Sequence, residues 1–208
     1  MVYPIFKRTI LPFWKLFLKE IVGVENIPEK GPFIITSNYA SYLDPWLIGS
    51  IIIPLKDKKM HYLSMKGRFW DLWGDRIMKD WLGIVLLEGR KKEALQDLLS
   101  LLKKGEIVGI FIEGDRSPDG NLQKGKTGVI RLALKSHVPV LPIGIIGTFD
   151  IAPRNQLIPK LKRAKMRIGK PIYLDEYYKR KIDKKLLRKL TDSVMHVISD
   201  LTGKPYNH

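Results

Sequence analysis

The chain has 208 residues, a mass of 24.0 kDa and 45% hydrophobic residues, which suffices for one well-buried core but is too short for two ordinary domains. Its 37 Lys and Arg against 21 Asp and Glu give a formal charge of +16, which favours nucleic acid, anionic lipid or an acidic protein as partner. The absence of cysteine excludes a thiolate nucleophile, a cysteine-ligated zinc and any disulfide. The four histidines lack metal-ligand spacing, so the sequence predicts no metal and no cofactor.

The first 22 residues interleave large apolar side chains such as Phe13 and Trp14 with cations such as Lys15. No run reaches the ~18 to 20 uninterrupted apolar residues of a spanning helix. The pattern is typical of a helix at a membrane interface, although a helix packed on the domain's own core would also show it. We predict an interfacial helical segment over residues 1–22 and one folded domain over residues 23–208.

After residue 21, short β-rich runs alternate with helical patterns. The runs predict strands at 32–37, 60–65, 83–88, 106–112, 138–146 and 164–173. Helical spacing occurs at Leu95, Leu98, Leu99 and Leu102, and at Leu190, Val194, Val197 and Leu201, and the Asp-Pro pair at 44–45 predicts a helix from 45 to about 52. Strands buried on both faces and separated by helices predict an α/β fold, with a mostly parallel central sheet flanked by helices. Functional loops of such a sheet lie at the carboxyl ends of its strands.

The stretch SNYASYLDP (37–45) ends the first of these predicted strands. Asp44 followed by Pro45 is typical of a helix start, because Asp is a favoured N-cap and Pro fits the first helical position. A catalytic role for Asp44 requires a partner for its carboxylate.

A second polar stretch, FIEGDRSPDG (111–120), follows a buried strand. The strand delivers Glu113 to its carboxyl end, Gly114 lets the backbone approach a ligand, and Arg116 offers a planar fork suited to phosphate. The alternative is a turn in which Glu113 and Arg116 only pair with each other.

The segment GNLQKGKT (120–127) matches a phosphate-binding P-loop pattern, with Gly120, Gly125 and Lys126 at the required spacing. A P-loop follows a buried strand directly, whereas here the polar GDRSPD intervenes. We interpret the match as accidental.

Four segments resemble, in order, the motifs of the glycerolipid acyltransferases, the family of 1-acylglycerol-3-phosphate acyltransferases. SNYASYLDP resembles the first motif, usually Asn-His, four residues, then Asp-Pro, and FIEGDRS is similar to Phe-Pro-Glu-Gly-Thr-Arg-Ser. LGIVLLEGR, ending at Arg90, resembles the intervening block, and VPVLPIGI, with Pro142, resembles the last. The order and spacing agree over residues 24–173.

The resemblance implies an acyltransferase domain over residues 23–208, acting at the cytoplasmic face of a membrane as a peripheral or monotopic protein. It would move a fatty acyl group from acyl-carrier protein or acyl-CoA to the free sn-2 hydroxyl of lysophosphatidic acid, forming phosphatidic acid. In that family the motif His, oriented by the Asp, removes the hydroxyl proton as the oxygen attacks the thioester. The implied partners also include an anionic membrane surface. No nucleic-acid-binding motif is present, so we predict no nucleic-acid partner.

The same resemblance assigns a role to each matching position. The catalytic positions are Tyr39 and Asp44, the substrate phosphate is assigned to Arg116, Lys66 and Arg90, and the pocket-shaping residues are Glu113, Gly114, Ser117 and Pro142.

Position 39 departs from the family pattern, because tyrosine stands where histidine is usual. Imidazole accepts a proton near pH 7, whereas a phenol with a reference pKa near 10 is already protonated. Lowering that pKa by ~3 units needs about 4 kcal/mol, and a neighbouring Asp44 acts in the opposite direction. We predict that Tyr39 donates a hydrogen bond to Asp44 and that the chemical step is slower by roughly two to four powers of ten.

Three explanations for Tyr39 stay open. The first is a single natural or engineered change in an ordinary acyltransferase. The second is a natural lipid-binding relative that has lost catalysis. The third is that another residue, such as His61 or His137, supplies the base. The leading hypothesis is an acyltransferase with reduced activity. The competing one is a non-catalytic, membrane-surface lysophospholipid-binding protein on the same fold.

Overall fold

The computed structural model describes residues 11–65, 79, 83–87, 89, 91–153 and 159–208. The strands are β1 (Leu18–Val22), β2 (Ile34–Ser37), β3 (Met60–Ser64), β4 (Val85–Leu86), β5 (Ile107–Phe111), β6 (Val140–Ile146) and β7 (Ala164–Ile168). The α-helices are α1 (Asp44–Lys56), α2 (Lys91–Lys103), α3 (Gly128–Ser136), α4 (Thr148–Ile151) and α5 (Lys184–Thr202). Short 3₁₀ turns occupy Val24–Asn26 and Asp175–Tyr177, and residues 11–15 are helical before β1.

The strands form one seven-stranded sheet in the order β1-β7-β6-β2-β5-β3-β4. Every neighbouring pair is parallel except β6 with β7. The predicted α/β fold with a mostly parallel central sheet is confirmed, and a strand lies within each of the six predicted ranges. Of the range 83–88 only Val85–Leu86 is a strand, with residue 88 outside the described residues, and the last strand ends at Ile168 rather than at residue 173.

Both faces of the sheet are covered, which explains the continuous apolar runs of its central strands. On one face, Ile35 and Leu141 pack with the buried residues of α1; on the other, Ile34 and Val140 pack with buried residues of α2, α3 and α5. Each such Ile or Leu contributes roughly 1.5–3 kcal/mol by leaving water.

The predicted helical character of residues 1–22 is wrong for its last part. Leu18–Val22 forms the edge strand β1, with Ile21 opposite Met166 of β7. Backbone pairing with β7 and an ion pair between Lys165 and Glu20 (2.7 Å) outweigh the local helical pattern. Residues 1–10 lie outside the described residues. Within the part of the chain that the structure describes, no helix has the length and apolarity needed to cross a membrane.

One edge of the sheet gathers the polar loops, and we call it the site edge. Parallel β2, β5 and β6 end there, which places the loops after Ser37, Phe111 and Ile146 side by side. Because β7 is antiparallel to β6 and β1 is parallel to β7, both β1 and β7 begin at this same edge.

Candidate active site at the site edge

Asn38 fastens the end of β2 to β6. Its Nδ2 donates to the carbonyl of Ile145 (2.9 Å), and its Oδ1 accepts the Ile145 N–H (2.8 Å). The buried amide therefore satisfies a donor and an acceptor of one residue, which fixes the direction in which residue 39 leaves the sheet.

We expect Asn38→Ala to lower the free energy of unfolding by about 2–4 kcal/mol, because it leaves a buried N–H and a buried C=O of Ile145 unpaired. Urea unfolding measures the change. Asn207→Ala, at an exposed position near the carboxyl terminus, is the matched control. Equal stability of both variants would show that the Asn38 amide does not hold the two strands together.

Asp44 carries a fully buried carboxylate, with a side chain 0% exposed. Its Oδ2 accepts the N–H groups of Ala40 and Ser41, each at 2.8 Å, while its Oδ1 has no hydrogen-bond partner in the described part of the chain. The predicted N-cap role is wrong: α1 begins at Asp44 itself, its N-cap is Leu43, and the carboxylate turns back to the loop. The carboxylate is thus held by the loop before α1, with one oxygen available.

Burial raises the pKa of Asp44 to about 6, and the nearby Thr148 hydroxyl and the amides of Ser41 and Ala40 moderate this rise. The Thr148 Oγ1 is itself buried and, among the described residues, unpartnered. At pH 7 and above, Asp44 is therefore a buried anion whose Oδ1, near the Thr148 hydroxyl, is able to accept one more hydrogen bond.

The Tyr39 ring lies flat on Phe111, with centroids 3.9 Å apart and planes 13° apart. Phe111 stacks in turn on Tyr62 (5.8 Å), whose ring passes so close to Gly109 that a Cβ there would lie 2.5 Å from it. The Tyr39 backbone is held as well, since its carbonyl accepts the N–H of Ser117 (2.7 Å). The aromatic stack and this bond fix the position of residue 39.

The predicted hydrogen bond from Tyr39 to Asp44 is wrong. Asp44 Oδ2 is occupied by two backbone amides and Oδ1 accepts from no described residue, because stacking on Phe111 sets the direction of the Tyr39 ring. Burial, with the charge of Asp44 adding to it, raises the pKa of Tyr39 to about 12. At neutral pH the phenolate form, which alone could act as a base, is therefore even scarcer at Tyr39 than in an ordinary tyrosine.

Glu113 joins the two loops of the site. Its side chain is 2% exposed; Oε1 accepts the N–H of Tyr39 and Oε2 the N–H of Gln123, both at 3.1 Å. The alternative in which Glu113 merely pairs with Arg116 is wrong, because backbone amides take both carboxylate oxygens. Burial raises the pKa of Glu113 to about 7, although those amides favour its charged form.

This pKa predicts a pH-dependent stability. A carboxyl group whose folded pKa lies above its ordinary value stabilises the fold fully below about pH 4.5, and this contribution is lost as pH rises through about 7. We expect the free energy of unfolding to fall between these pH values by about 2–3 kcal/mol more in the native chain than in Glu113→Gln. Urea titrations from pH 4 to pH 8 give both slopes. If the free energy of unfolding changed equally with pH in both proteins, the raised pKa of Glu113 would be contradicted, whatever the difference in their absolute stability.

Arg116 projects from the same loop and is partly exposed. Its positive charge reaches the phenols of Tyr39 and Tyr42, and no carboxylate in the described ranges forms an ion pair with its guanidinium. The guanidinium is thus available to an anion at the mouth of the site.

Gly114 and Lys126 meet beside Arg116. Gly114 has a φ of 74°, and a Cβ there would lie 2.6 Å from the Lys126 Nζ, so only glycine lets the lysine side chain lie across this turn. The N–H of Lys126 donates to the Ile112 carbonyl (2.7 Å), which fixes its backbone. Lys126 belongs to the P-loop-like match, yet β5 ends at Phe111 and α3 begins only at Gly128, which is not the arrangement of a P-loop.

Ser117 is buried and shapes the turn after the loop. Its hydroxyl donates to the Asn121 carbonyl (2.8 Å) and lies 3.1 Å from Asp119 Oδ1. Lys204 closes the loop from the carboxyl-terminal segment, because its ammonium donates to the Gly120 carbonyl. No sequence motif indicated Lys204, although its charge reaches both Asp44 and Glu113.

Of the residues assigned by resemblance, Pro142 is not brought to this group, and two others cannot be placed relative to it. Lys66 and Arg90 lie outside the described residues. Pro142 lies within β6, opposite Thr36, with its ring against Gly169, and no described contact joins it to Asp44 or Glu113.

The two alternative histidines lie at the opposite edge of the sheet, so neither supplies the base. His61 is near the start of β3, opposite Val108, and burial lowers its pKa to about 4. His137 ends α3 and stacks on Tyr178 (4.1 Å).

Comparison with known proteins gives the class. A family model described as Acyltransferase matches residues 19–146. The chain is also similar to a solved structure, the 1-acyl-sn-glycerophosphate (LPA) acyltransferase PlsC from Thermotoga maritima. The TM-score is 0.70 with 24% identity, over 95% of this chain and 82% of that one. The match covers well over half of the chain, so this protein belongs to the acyltransferase family.

Curated relatives narrow the comparison. The chain is 33% identical over 174 residues to the chloroplastic 1-acyl-sn-glycerol-3-phosphate acyltransferase BAT2 of Brassica napus, over 79% of this chain and 47% of that protein. It is 28% identical over 187 residues to the 1-acyl-sn-glycerol-3-phosphate acyltransferase of Bacillus subtilis, over 89% and 88% of the two chains. The chain spans about half the length of the chloroplastic relatives it matches.

Proposed function

We propose that this chain transfers a fatty acyl group from a thioester to the sn-2 hydroxyl of lysophosphatidic acid, forming phosphatidic acid. The observation that carries the proposal is the buried Asp44 carboxylate, held by two backbone amides behind residue 39, with Oδ1 available and the Arg116 cation at the mouth of the same site. Relatives named 1-acyl-sn-glycerol-3-phosphate acyltransferase support the acceptor and the product. The donor is acyl-CoA or acyl-carrier protein.

Tyr39 limits this chemistry to a slow rate. As the acceptor oxygen attacks the thioester carbonyl, its proton must pass to a base, and the departing thiolate later takes up a proton. With a pKa of about 12, Tyr39 holds its own proton and does not act as that base. What remains is the positioning of both substrates by the loops, which alone supports a reduced rate.

Two cations of the site suit the phosphate of the acceptor. Arg116 presents a planar fork for two phosphate oxygens, and the Lys126 ammonium lies across Gly114, beside it in the same loop. Lys66 and Arg90 remain proposals from the resemblance alone, as does attachment to an anionic, cytoplasmic membrane surface as a peripheral or monotopic protein.

Lys126→Met is expected to raise KM for lysophosphatidic acid by roughly 5- to 30-fold while changing kcat less than about threefold, because the phosphate is equally bound in ground and transition states. Initial rates in the Tyr39→His background give both constants. Lys124→Met, two residues away and exposed, is the matched control. Equal KM values for the two variants would remove Lys126 from the phosphate site.

The native chain itself tests the proposed function. Acyl transfer is followed over long incubations with both thioester donors, and lysophosphatidic acid is compared with monoacylglycerol, which lacks the phosphate. We expect slow formation of phosphatidic acid and still slower acylation of monoacylglycerol. Equal use of both acceptors would contradict phosphate recognition; binding of lysolipid with no turnover in any form of the protein would favour the non-catalytic lipid-binding protein.

A further inference from the structure

A second cationic site lies at the site edge, on the side of β1 and β7. A depression of about 320 Å³ is lined by Lys19, Ile146, Gly147, Asp150, Lys162, Arg163 and Lys165. Four of these side chains are cations and one is a carboxylate. Lys165 is engaged by Glu20 (2.7 Å), whereas Lys19, Lys162 and Arg163 have no ion-pair partner among the residues described. The depression is therefore positively charged and open to an anion.

The backbone around the depression is well fixed. The Ala164 N–H donates to the Phe17 carbonyl (2.7 Å), which ties the chain before β7 to the chain before β1. Gly147 has a φ of 90°, and a Cβ there would lie 3.8 Å from the Arg163 carbonyl oxygen. The cations thus project from two strand ends that are held together.

Exposed apolar side chains flank these cations along the chain. Leu161 is 99% exposed beside Lys162, and Phe13 and Leu16, just before β1, are 54% and 62% exposed. Leu11 and Trp14 of the same helical stretch pack inwards, with Trp14 stacked on Trp46 (5.8 Å). The segment therefore packs on the core with one face and presents apolar groups to solvent with the other. Apolar tips beside cations suit the boundary between lipid phosphates and acyl chains.

This site is separate from the one around Arg116. Thr148, which follows Gly147, lies near Asp44, so the turn from β6 into α4 stands between the depression and the candidate catalytic group. Both sites open at the site edge, so a single planar partner can contact both of them at the same time.

We propose that this depression binds the phosphate of an anionic bilayer phospholipid, with Leu161, Phe13 and Leu16 entering the acyl region, so that the site edge faces the membrane. The inference deepens the proposed function and rests on it only in that the acceptor is a membrane lipid. The bound phospholipid is not consumed: it orients the protein, and the acceptor reaches Asp44 from the same bilayer.

Vesicle flotation tests the proposal without any acyl transfer. The vesicles are phosphatidylcholine alone or phosphatidylcholine with roughly a third phosphatidylglycerol. We expect Lys162→Gln/Arg163→Gln to weaken binding to the anionic vesicles by about 10- to 30-fold, since each cation near such a surface contributes about 1 kcal/mol. Lys184→Gln/Lys185→Gln removes the same charge from exposed positions in the first turn of α5 and is expected to change binding less than about threefold. Leu161→Ser is expected to weaken binding to both kinds of vesicle.

Equal losses in the two double variants would overturn the proposal, because they would show that only net charge matters. Unchanged vesicle binding by Lys162→Gln/Arg163→Gln, with a selective loss in the use of acyl-carrier protein but not of acyl-CoA, would also overturn it and would identify a carrier-docking surface. The result is independent of the proposed function: if no form of the chain transfers acyl groups but the vesicle result holds, the function fails and the membrane site stands.

Discussion

Replacing Tyr39 with histidine is expected to raise kcat for acyl transfer to lysophosphatidic acid by roughly 10²- to 10⁴-fold. Unlike tyrosine, whose only polar atom lies at the far end of its ring, histidine carries one nitrogen close to Cβ, so its ring need not follow the direction that stacking on Phe111 imposes on the phenol. We expect one imidazole N–H to donate to Asp44 Oδ1, the buried acceptor that the tyrosine leaves unused, and the other nitrogen to face the acceptor hydroxyl. Initial rates with radiolabelled acyl-CoA and acyl-carrier protein measure the gain. The rate of the variant should also rise with pH through the titration of an imidazole, near pH 6.5, where the native chain shows no such rise.

Tyr39→Phe is the matched control for this gain. It keeps the stacked ring and removes only the hydroxyl, so we expect its rate to stay within about threefold of the native rate. If Tyr39→His were no faster than Tyr39→Phe, residue 39 would not be the position from which a base acts.

Adding Asp44→Asn to Tyr39→His is expected to abolish most of that gain, again roughly 10²- to 10⁴-fold in kcat. The amide oxygen of asparagine can keep the bonds from Ala40 and Ser41, but its NH₂ group then replaces the oxygen that accepts from the imidazole. The same change in the native chain should alter the slow rate very little, because no base at position 39 is there to be oriented. Kinetics of the four proteins form a cycle whose non-additivity reports the coupling of the two positions.

Loss of the fold would not explain such a result. Burial raises the pKa of Asp44 to about 6, so the charged form is the costly one, and a neutral amide of the same shape removes that cost. Thermal unfolding should therefore show Asp44→Asn folded at the assay pH. Full activity of the double variant would exclude Asp44 as the orienting residue.

Patterns that lie within one element were predictable. Continuous apolar residues bounded by polar loops predict the buried strands β2, β5 and β6. The edge strand β1 does not, since Lys19 and Glu20 interrupt it and its stability depends on pairing with β7, more than 140 residues away. The nine-residue α3 also went unpredicted, because a helix that short gives little periodicity beside a glycine-rich loop.

The candidate site, like the fold, was predictable only in part. Motif order placed Tyr39, Asp44, Glu113 and Arg116 at one edge, because the carboxyl ends of parallel strands meet there. Side-chain directions were not predictable: stacking on Phe111 turns Tyr39 away from the predicted bond with Asp44. Lys204 reaches Gly120 across 84 residues of sequence, a contact that no local pattern encodes.

The most direct test of acyl transfer at this site is to incubate Tyr39→His and the native chain with lysophosphatidic acid and each thioester donor, and to identify the product by mass spectrometry. We expect phosphatidic acid with the new acyl chain at sn-2, formed by the variant at least about a hundredfold faster than by the native chain. If neither protein forms phosphatidic acid from either donor while both still bind the lysolipid, the acyltransferase assignment of this site is contradicted.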